Sequence, residues 1–367
     1  MLLSSSTLVQ SQIAPKYSNE FLTLGVGGRA MAMSNAQVAA SGDVYSGYWN
    51  TSSMVDMETD IEIAFMHSAY FAGIANYDYL AASAKVSDNS ILGLSILRFG
   101  VDGIPNTFDL IRNGEINYDR VTSFSSVEYA FLMHYARNPN TRALNEYAAF
   151  RDARFSYGVN AKVINKSVGP FASALGFGFD ASARLTDIKG GWSLGVMGYD
   201  ITSTFNSWNM TFTDQQQDVL IREGNEIPIN SLEITLPRFL VGVGKTWDLN
   251  RFQIFSALDL EMTTDGMRNT LIRTRTLSID PRLGVEGAYR ISNSNNQVFL
   301  RMGVGKFQQE LNNQGKQRYT FMPTAGVGLR LGNFYIDYAL TDIGDQSAAL
   351  YSNIFSIKAT LNGKSKS

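Results

Sequence analysis

Hydrophobic residues alternate with small, polar or charged residues along most of the chain, and a repeat of two residues predicts β-strands. In the stretch 175–185, for example, Leu175, Phe177 and Phe179 are separated by single glycines, and the charged Asp180 follows. About fourteen such segments follow one another, each roughly ten residues long, which is the length that a tilted strand needs to cross a membrane. The pattern therefore predicts an all-β fold, an antiparallel transmembrane β-barrel of about 14 strands.

The connections between these segments fall into two classes. Tight turns are expected at 87–90, 187–191, 248–250, 292–296 and 332–333. Longer loops alternate with them, at about 100–121, 202–231, 263–275, 306–317 and 342–348. Barrels of the bacterial outer membrane have short periplasmic turns and long extracellular loops, so the alternation indicates an integral protein of the cell outer membrane. One link on the short side, about 137–153, is long and is expected to hold a small helix at 141–149.

A soluble β-sandwich or soluble barrel would also alternate, with its apolar face turned inward. The composition favours the membrane, because only 17% of the residues are charged, below the roughly 25% of ordinary soluble domains. The face opposite the apolar residues is rich in glycine and in isolated charges of both signs, as a crowded lumen would be.

The ends of the chain differ from this pattern. Residues 1–11 are interpreted as the remnant of a signal peptide, and residues 363–367 as a short C-terminal tail. Residues 12–56 combine glycines with a stretch of small residues, which predicts a short helical segment that acts as a plug or hatch. The barrel itself is expected to span residues 57–362.

Candidate chemistry is sparse. The chain has no cysteine, two histidines and a formal net charge of -2, so we expect no metal, no cofactor and no binding of nucleic acid. Several charged residues fall on the lumen face and could in principle act as acid–base pairs, but confined charges more often neutralise one another. We therefore expect no catalytic residues and no enzyme, and we assign a structural network to Asp180, Arg184, Glu286, Arg301, Arg330 and Asp337.

Function is expected in the long loops, because lipid covers the outside of the wall. Two loops carry apolar side chains that suggest contact with a partner: Ile104, Phe108, Leu110 and Ile111 in the first, and Phe205, Trp208, Met210 and Phe212 in the second. The alternative is that these residues fold back and close the barrel mouth, and the sequence favours neither.

The N-terminal segment carries the most specific motif. It reads Lys16-Tyr17-Ser18-Asn19-Glu20-Phe21-Leu22, then Gly25-Val26-Gly27-Gly28-Arg29-Ala30, then Met33-Ser34-Asn35-Ala36, and finally Tyr48-Trp49-Asn50. This stretch resembles the start of the PorV/PorQ family of the type IX secretion system, which belongs with the wider FadL-like barrels. The family usually continues Trp-Asn with Pro-Ala-Gly-Leu, whereas this chain has Thr51-Ser52-Ser53-Met54.

The resemblance implies a non-enzymatic role in export. Such a protein, embedded in outer-membrane lipid, would bind the C-terminal signal domains of secreted proteins beside the very large translocon barrel subunit and carry them to surface attachment. A FadL-like channel for hydrophobic small molecules is the alternative. A purely structural barrel that supports motility or attachment complexes is a third possibility.

Overall fold

The structure, a computed structural model, describes residues 18–40, 42–70, 73–112, 114–139, 152–291, 295–311, 317–341 and 352–362. These residues form one closed antiparallel barrel of 14 strands around a lumen that holds the N-terminal segment. The barrel closes because the first strand pairs with the last, from Ile61 opposite Leu361 to Ala69 opposite Asn353. The predicted fold class and strand number are therefore confirmed.

Every barrel strand pairs with its neighbours in the chain, so the topology is a simple meander. Strands β1 to β6 are Ile61–Tyr70, Ala75–Ser87, Ser90–Asn106, Thr122–Arg137, Arg154–Val168 and Ala172–Ile188. Strand β7 has two segments, Trp192–Tyr199 and Thr204–Met210, and β8 also has two, Ser231–Thr235 and Arg238–Leu249. Strands β9 to β14 are Phe252–Thr263, Ser278–Arg290, Gln297–Leu311, Gln317–Leu331, Phe334–Thr341 and Ser352–Leu361. Two-residue strands at Ile111–Arg112 and Glu115–Ile116 form a small loop hairpin, and Ile272–Arg273 pairs with β10.

The described helices are short. Helices α1 (Gly28–Ala32), α2 (Ser46–Trp49) and α3 (Asp214–Arg222) are accompanied by 3₁₀ turns at Glu20–Thr23, Thr51–Asp56 and Tyr118–Arg120. No helix in the described ranges is long and apolar enough to span a membrane. The expected signal-peptide remnant at 1–11, the helix at 141–149, residues 292–294 of the expected turn at 292–296, the loop at 342–348 and the tail at 363–367 lie outside the described residues.

The burial pattern of the wall is the reverse of that in a soluble protein. In β1, Ile63 and Phe65 are 42% and 48% exposed on the outer face, whereas Glu62 and Ala64 are buried on the lumen side. The other strands show the same exposed apolar side chains. Because apolar surface is stable only in an apolar solvent, this exterior suits the hydrocarbon of a bilayer.

The strands extend further than the sequence pattern indicated, which corrects the predicted loops at 100–121, 202–231 and 306–317. Strand β11 continues to Leu311, past an irregular register between Gly305 and Gln308. Ile104 belongs to β3, where it pairs with Phe124, and Phe205, Trp208 and Met210 belong to the second segment of β7. The reason is a change of phase, because an irregular register between Val101 and Ile104 and a break at 200–203 both interrupt the repeat of two. A prediction based on alternation alone therefore places the ends of these strands too early in the chain.

Strands β7 and β8 are interrupted at the same height. Gly198 pairs with Ala181 and Phe205 pairs with Phe177, so six residues of β7 (199–204) face three of β6 (178–180). Opposite this bulge, Pro237 separates the two segments of β8, because proline has no N–H for the ladder. The regular strand pairing of the wall is therefore interrupted at one place, where β7 and β8 are neighbours.

The N-terminal segment fills the lumen and packs closely against wall glycines. A Cβ atom on Gly303 would overlap the backbone of Met33 and Ser34. On the other side of the barrel, a Cβ on Gly158 would lie 2.5 Å from the backbone nitrogen of Ser52. Glycine on the lumen face of these strands thus provides the space that the N-terminal segment occupies.

Polar contacts attach the N-terminal segment to the barrel wall. The carboxylate of Asp259 accepts the backbone N–H groups of Gln37 and Val38 at 2.7 and 2.9 Å. Asp43 pairs with Lys358 of β14 at 2.9 Å. Burial alone would raise the pKa of Asp43, but the positive charges of Lys358 and Arg29 hold that pKa below its ordinary value.

The motif residues that carry the family resemblance contact one another. The indole N–H of Trp49 donates to the carbonyl of Val26 at 2.8 Å, and the hydroxyl of Tyr48 donates to that of Leu22 at 2.7 Å. Gly25 has a φ of 99°, and a Cβ there would lie 2.9 Å from the Trp49 ring. The motif therefore specifies how the N-terminal segment folds inside the barrel.

Candidate functional site

An aromatic cluster lies at the mouth of the barrel, on the side of the long loops. At its centre, the buried ring of Phe171 lies between β5 and β6. Its centroid is 5.3 Å from that of Phe108, 5.1 Å from that of Phe124 and 5.7 Å from that of Phe212. These separations are typical of favourable aromatic pairs, so the four rings form one packed unit from two loops, one turn and the start of β4.

Beside this cluster opens an apolar groove of about 540 Å³, here called the mouth groove. Its walls include the four rings together with Trp208, Met210, Val219 and Leu220. Glu223 is the one charged residue among the residues that line it, and no lysine or arginine is among them. A concave site with apolar walls and few polar groups is the usual form of a site for a small apolar ligand.

The floor of the mouth groove is polar. The indole N–H of Trp208 donates to a carboxylate oxygen of Glu233 at 3.0 Å, and Lys166 lies 3.4 Å from the same oxygen. Lys166 also pairs with Glu128 at 3.3 Å. Beneath them, the side-chain amide of Asn206 donates to Asn19 of the N-terminal segment at 3.2 Å. An apolar molecule in the groove would therefore meet a hydrogen-bonded layer before it reached the lumen.

Helix α3 forms one wall of the groove and is fixed at its start by local sequence. The Thr213 hydroxyl accepts the backbone N–H of Gln216, and the Gln216 side chain accepts the N–H of Thr213, which together make a capping box. The side chain of Gln215 then donates to Asp109 in the other long loop at 3.2 Å. The two long loops are thereby connected above the groove.

The eight apolar residues that are expected to bind a partner fall into two groups in the structure. Phe108, Trp208, Met210 and Phe212 line the mouth groove, so these four fold toward the mouth. Four others do not line it: Ile104 and Phe205 in strands, and Leu110 and Ile111 in the loop. Their role in binding a partner stays a prediction.

Several residues of the groove were missed by sequence reasoning. Phe171 lies in a connection of only three residues, and Phe124 lies in a strand, so neither belongs to the two long loops that are expected to carry function. Val219 and Leu220 lie on α3, which a Thr-x-x-Gln capping signal at 213–216 could have located.

The six lumen charges expected to form a network lie in four places. Arg301 lies 2.5 Å from Glu286 and 2.6 Å from Asp337, so these three form one cluster, which Arg29 of the N-terminal segment joins. The remaining three have separate partners: Asp180 pairs with Lys162 at 2.7 Å, Arg330 with Glu58 at 3.3 Å, and Arg184 with Asp56. The ion pairs with Arg29, Asp56 and Glu58 link the wall to the chain that precedes β1.

A smaller cavity of about 130 Å³ lies inside the interruption of β7 and β8. It is lined by residues of the N-terminal segment, by Leu236 and Pro237, and by the charged residues Glu20, Asp200, Arg238, Asp265 and Arg268. Arg268 pairs with Glu20 at 3.0 Å and also with Asp265. The charged lining distinguishes this cavity from the mouth groove.

Comparison with solved structures identifies the class of fold. The chain superimposes on a FadL homologue from Pseudomonas aeruginosa with a TM-score of 0.53 and 10% identity, covering 91% of this chain and 97% of that one. The toluene transporter TodX of Pseudomonas putida gives a TM-score of 0.51 with 11% identity, over 91% and 96% of the two chains. The toluene transporter TbuX of Ralstonia pickettii gives 0.50 with 11% identity, over 92% and 99%.

These matches show that the fold is that of the FadL-like outer-membrane barrels. No protein-family model matches the sequence, and no curated protein matches it. At this identity the likeness concerns the fold alone. The assignment to the PorV/PorQ family, and the absence of enzymatic activity, stay predictions.

Proposed function

We propose that this chain is an outer-membrane barrel that captures uncharged hydrophobic molecules in the mouth groove. The observation that supports the proposal best is the groove itself, an apolar depression of about 540 Å³ at the mouth of a FadL-like barrel. The solved barrels of the same fold include transporters of toluene, which is an uncharged hydrocarbon. This function is the alternative that the sequence allowed.

The charge of the groove defines the class of ligand. A fatty acid carries a carboxylate, and such a group needs a cation or several donors when it leaves water. The residues that line the groove include no lysine or arginine and contribute the carboxylate of Glu223. Lys166, in the floor below them, is already paired with Glu128 and Glu233. We therefore expect neutral hydrocarbons and neutral aromatic compounds to bind better than anionic amphiphiles of the same size.

The test is energy transfer from Trp208 to N-phenyl-1-naphthylamine, an uncharged probe, on the barrel held in amphipol. Energy transfer is measured in wild type and in Trp208→Phe as the probe concentration rises. The saturable part that is present only in wild type reports binding in the groove. Leu220→Asp places a charge in the lining and should weaken binding at least tenfold, because an apolar ligand would then have to desolvate a carboxylate.

The matched control is Ile221→Asp, the next residue of α3, which is 56% exposed and does not line the groove. It should leave the affinity unchanged. Equal affinities of wild type and Leu220→Asp, or tighter binding of an anionic analogue, would contradict the proposed function.

A second candidate is the cargo-carrying subunit of type IX secretion. It is supported by the resemblance in residues 16–50 and by the exposed apolar side chains Ile111, Ile116 and Tyr118 on the loop next to the groove, which are 56%, 58% and 77% exposed. Exposed apolar side chains of this kind suit contact with a protein. The candidate predicts co-purification, in mild detergent, with a very large translocon barrel and with C-terminal signal domains of secreted proteins. Recovery of neither from native membranes would rule against it.

A further inference from the structure

A second apolar depression lies on the outer wall, across β8 to β11, with a volume of about 430 Å³. We call it the outer-wall groove. It exists because Ser256, a small residue, faces outward where β8 and β10 present Lys245 and Val285 on either side. Val285 in turn pairs with Met302 of β11, which is 61% exposed. A small side chain in a row of large ones leaves space that a flexible chain can fill.

One end of the outer-wall groove carries a cation and two indole rings. Lys245 pairs with Trp192 in the ladder, and its ammonium lies 4.7 Å from the centroid of the Trp192 ring and 5.6 Å from that of Trp247. The ammonium also donates to the carbonyl of Gly190 in the adjacent turn. Tryptophan and lysine together are typical of the depth at which lipid headgroups lie.

Lys245 has no carboxylate partner among the described residues, although it faces the lipid side of its strand. The comparison with Arg98, which lies on the lipid side of β3, is direct, because Arg98 pairs with Asp78 at 3.4 Å. An ammonium has three donors, and the Gly190 carbonyl takes one of them. An anion from the membrane can therefore bind to the other two.

We propose that the outer-wall groove binds one anionic phospholipid of the leaflet at the short-turn side. One acyl chain occupies the groove along Ser256, Leu258 and Val285, and the phosphate binds the ammonium of Lys245. Lys189, exposed in the same turn as Gly190, adds positive charge at that depth. The site is independent of the mouth groove, which lies at the opposite end of the barrel.

The test uses tryptophan fluorescence in vesicles that contain brominated phosphatidylglycerol or brominated phosphatidylcholine in an unlabelled phosphatidylcholine background. Bromine quenches Trp192 and Trp247, which face lipid, whereas Trp49 and Trp208 lie on the lumen side and give a constant background. We expect phosphatidylglycerol to be preferred about fivefold, the ratio that corresponds to about 1 kcal/mol for one lysine at the surface.

Lys245→Gln should reduce the preference to about one, and Lys245→Arg should retain it. Ser256→Leu fills the outer-wall groove and should lower quenching by both lipids. The control Ser207→Leu makes the same change at an outward position of β7 outside the groove and should not. An unchanged preference in Lys245→Gln, or equal quenching in the two serine variants, would mean annular lipid only and would overturn the proposal.

Discussion

The lumen and the mouth of this barrel are adjacent, yet they are filled in opposite ways. In the lumen, the N-terminal segment packs against wall glycines and its charges pair with charges of the wall. At the mouth, four aromatic rings pack together and leave an apolar groove beside them. A lumen rich in charge is therefore compatible with an apolar binding site, provided that a polar layer separates the two.

The largest effect on stability is expected at Gly303, where the wall and the N-terminal segment leave no free space. Gly303→Leu would force its side chain into the backbone of Met33 and Ser34, so the N-terminal segment could not occupy its position. We expect a loss of about 3 kcal/mol or more in the free energy of unfolding, or failure to assemble. The measurement is the urea midpoint of the heat-modifiable band on a gel.

The matched control is Gly287→Leu on β10. A Cβ at Gly287 has as its nearest neighbour the carbonyl oxygen of Leu300, 3.9 Å away, so a side chain there has room. A Gly303→Leu barrel as stable as the Gly287→Leu barrel would show that the N-terminal segment is not held as described.

A smaller effect is expected at the ion pair between Asp43 and Lys358. Asp43→Asn leaves the buried ammonium of Lys358 with Glu62, 3.8 Å away, as its remaining carboxylate partner, which should cost about 2 to 3 kcal/mol at pH 7. Because the pKa of Asp43 is lowered in the folded state, the stability from this pair is present above the ordinary carboxyl pKa of about 4 and is lost as the pH falls below it. Unfolding of both proteins at pH 7 and pH 3 gives the measurement, and the variant should lose less on acidification. An identical pH dependence would contradict the assignment.

The smallest effect concerns the mouth. Phe212→Ala removes one ring of the aromatic cluster and should weaken binding of N-phenyl-1-naphthylamine about tenfold, since about 1.4 kcal/mol of apolar contact is lost. Barrel stability should change little, because Phe212 belongs to a loop above the wall. A stability loss as large as that of Asp43→Asn would show that the mouth and the lumen form one structural unit and would contradict their separation.

The wall could be predicted from the sequence because one rule governs it. Each strand must present apolar residues to lipid, so alternation at positions such as Leu175, Phe177 and Phe179 reports both the strand and its face. The rule fails where the strand bulges. Asp200 and Ser203 adopt positive φ values of 54° and 59°, which cannot be predicted from their residue types alone. The loop predicted from the sequence therefore begins before the strand actually ends.

The mouth groove could be predicted only in part. Phe108 and Phe212 stood out as apolar residues in long loops, but their contact with Phe171 depends on how two loops and a turn meet in space. The N-terminal motif was readable for a different reason. Gly25, Tyr48 and Trp49 contact one another or the nearby backbone, so the motif specifies the fold of the lumen segment.

The pairing of β1 with β14 has a consequence for assembly in the membrane. Helix α1 contacts β11 to β14, and the turn at Thr51–Asp56 contacts β3 to β6, so the lumen segment touches strands from both halves of the sheet. A chain that closed its seam first would exclude this segment, because a sealed cylinder offers no entrance wide enough for a folded insert. We therefore expect the sheet to curl around the insert while its edges are still open, with the pairing of β1 and β14 forming last.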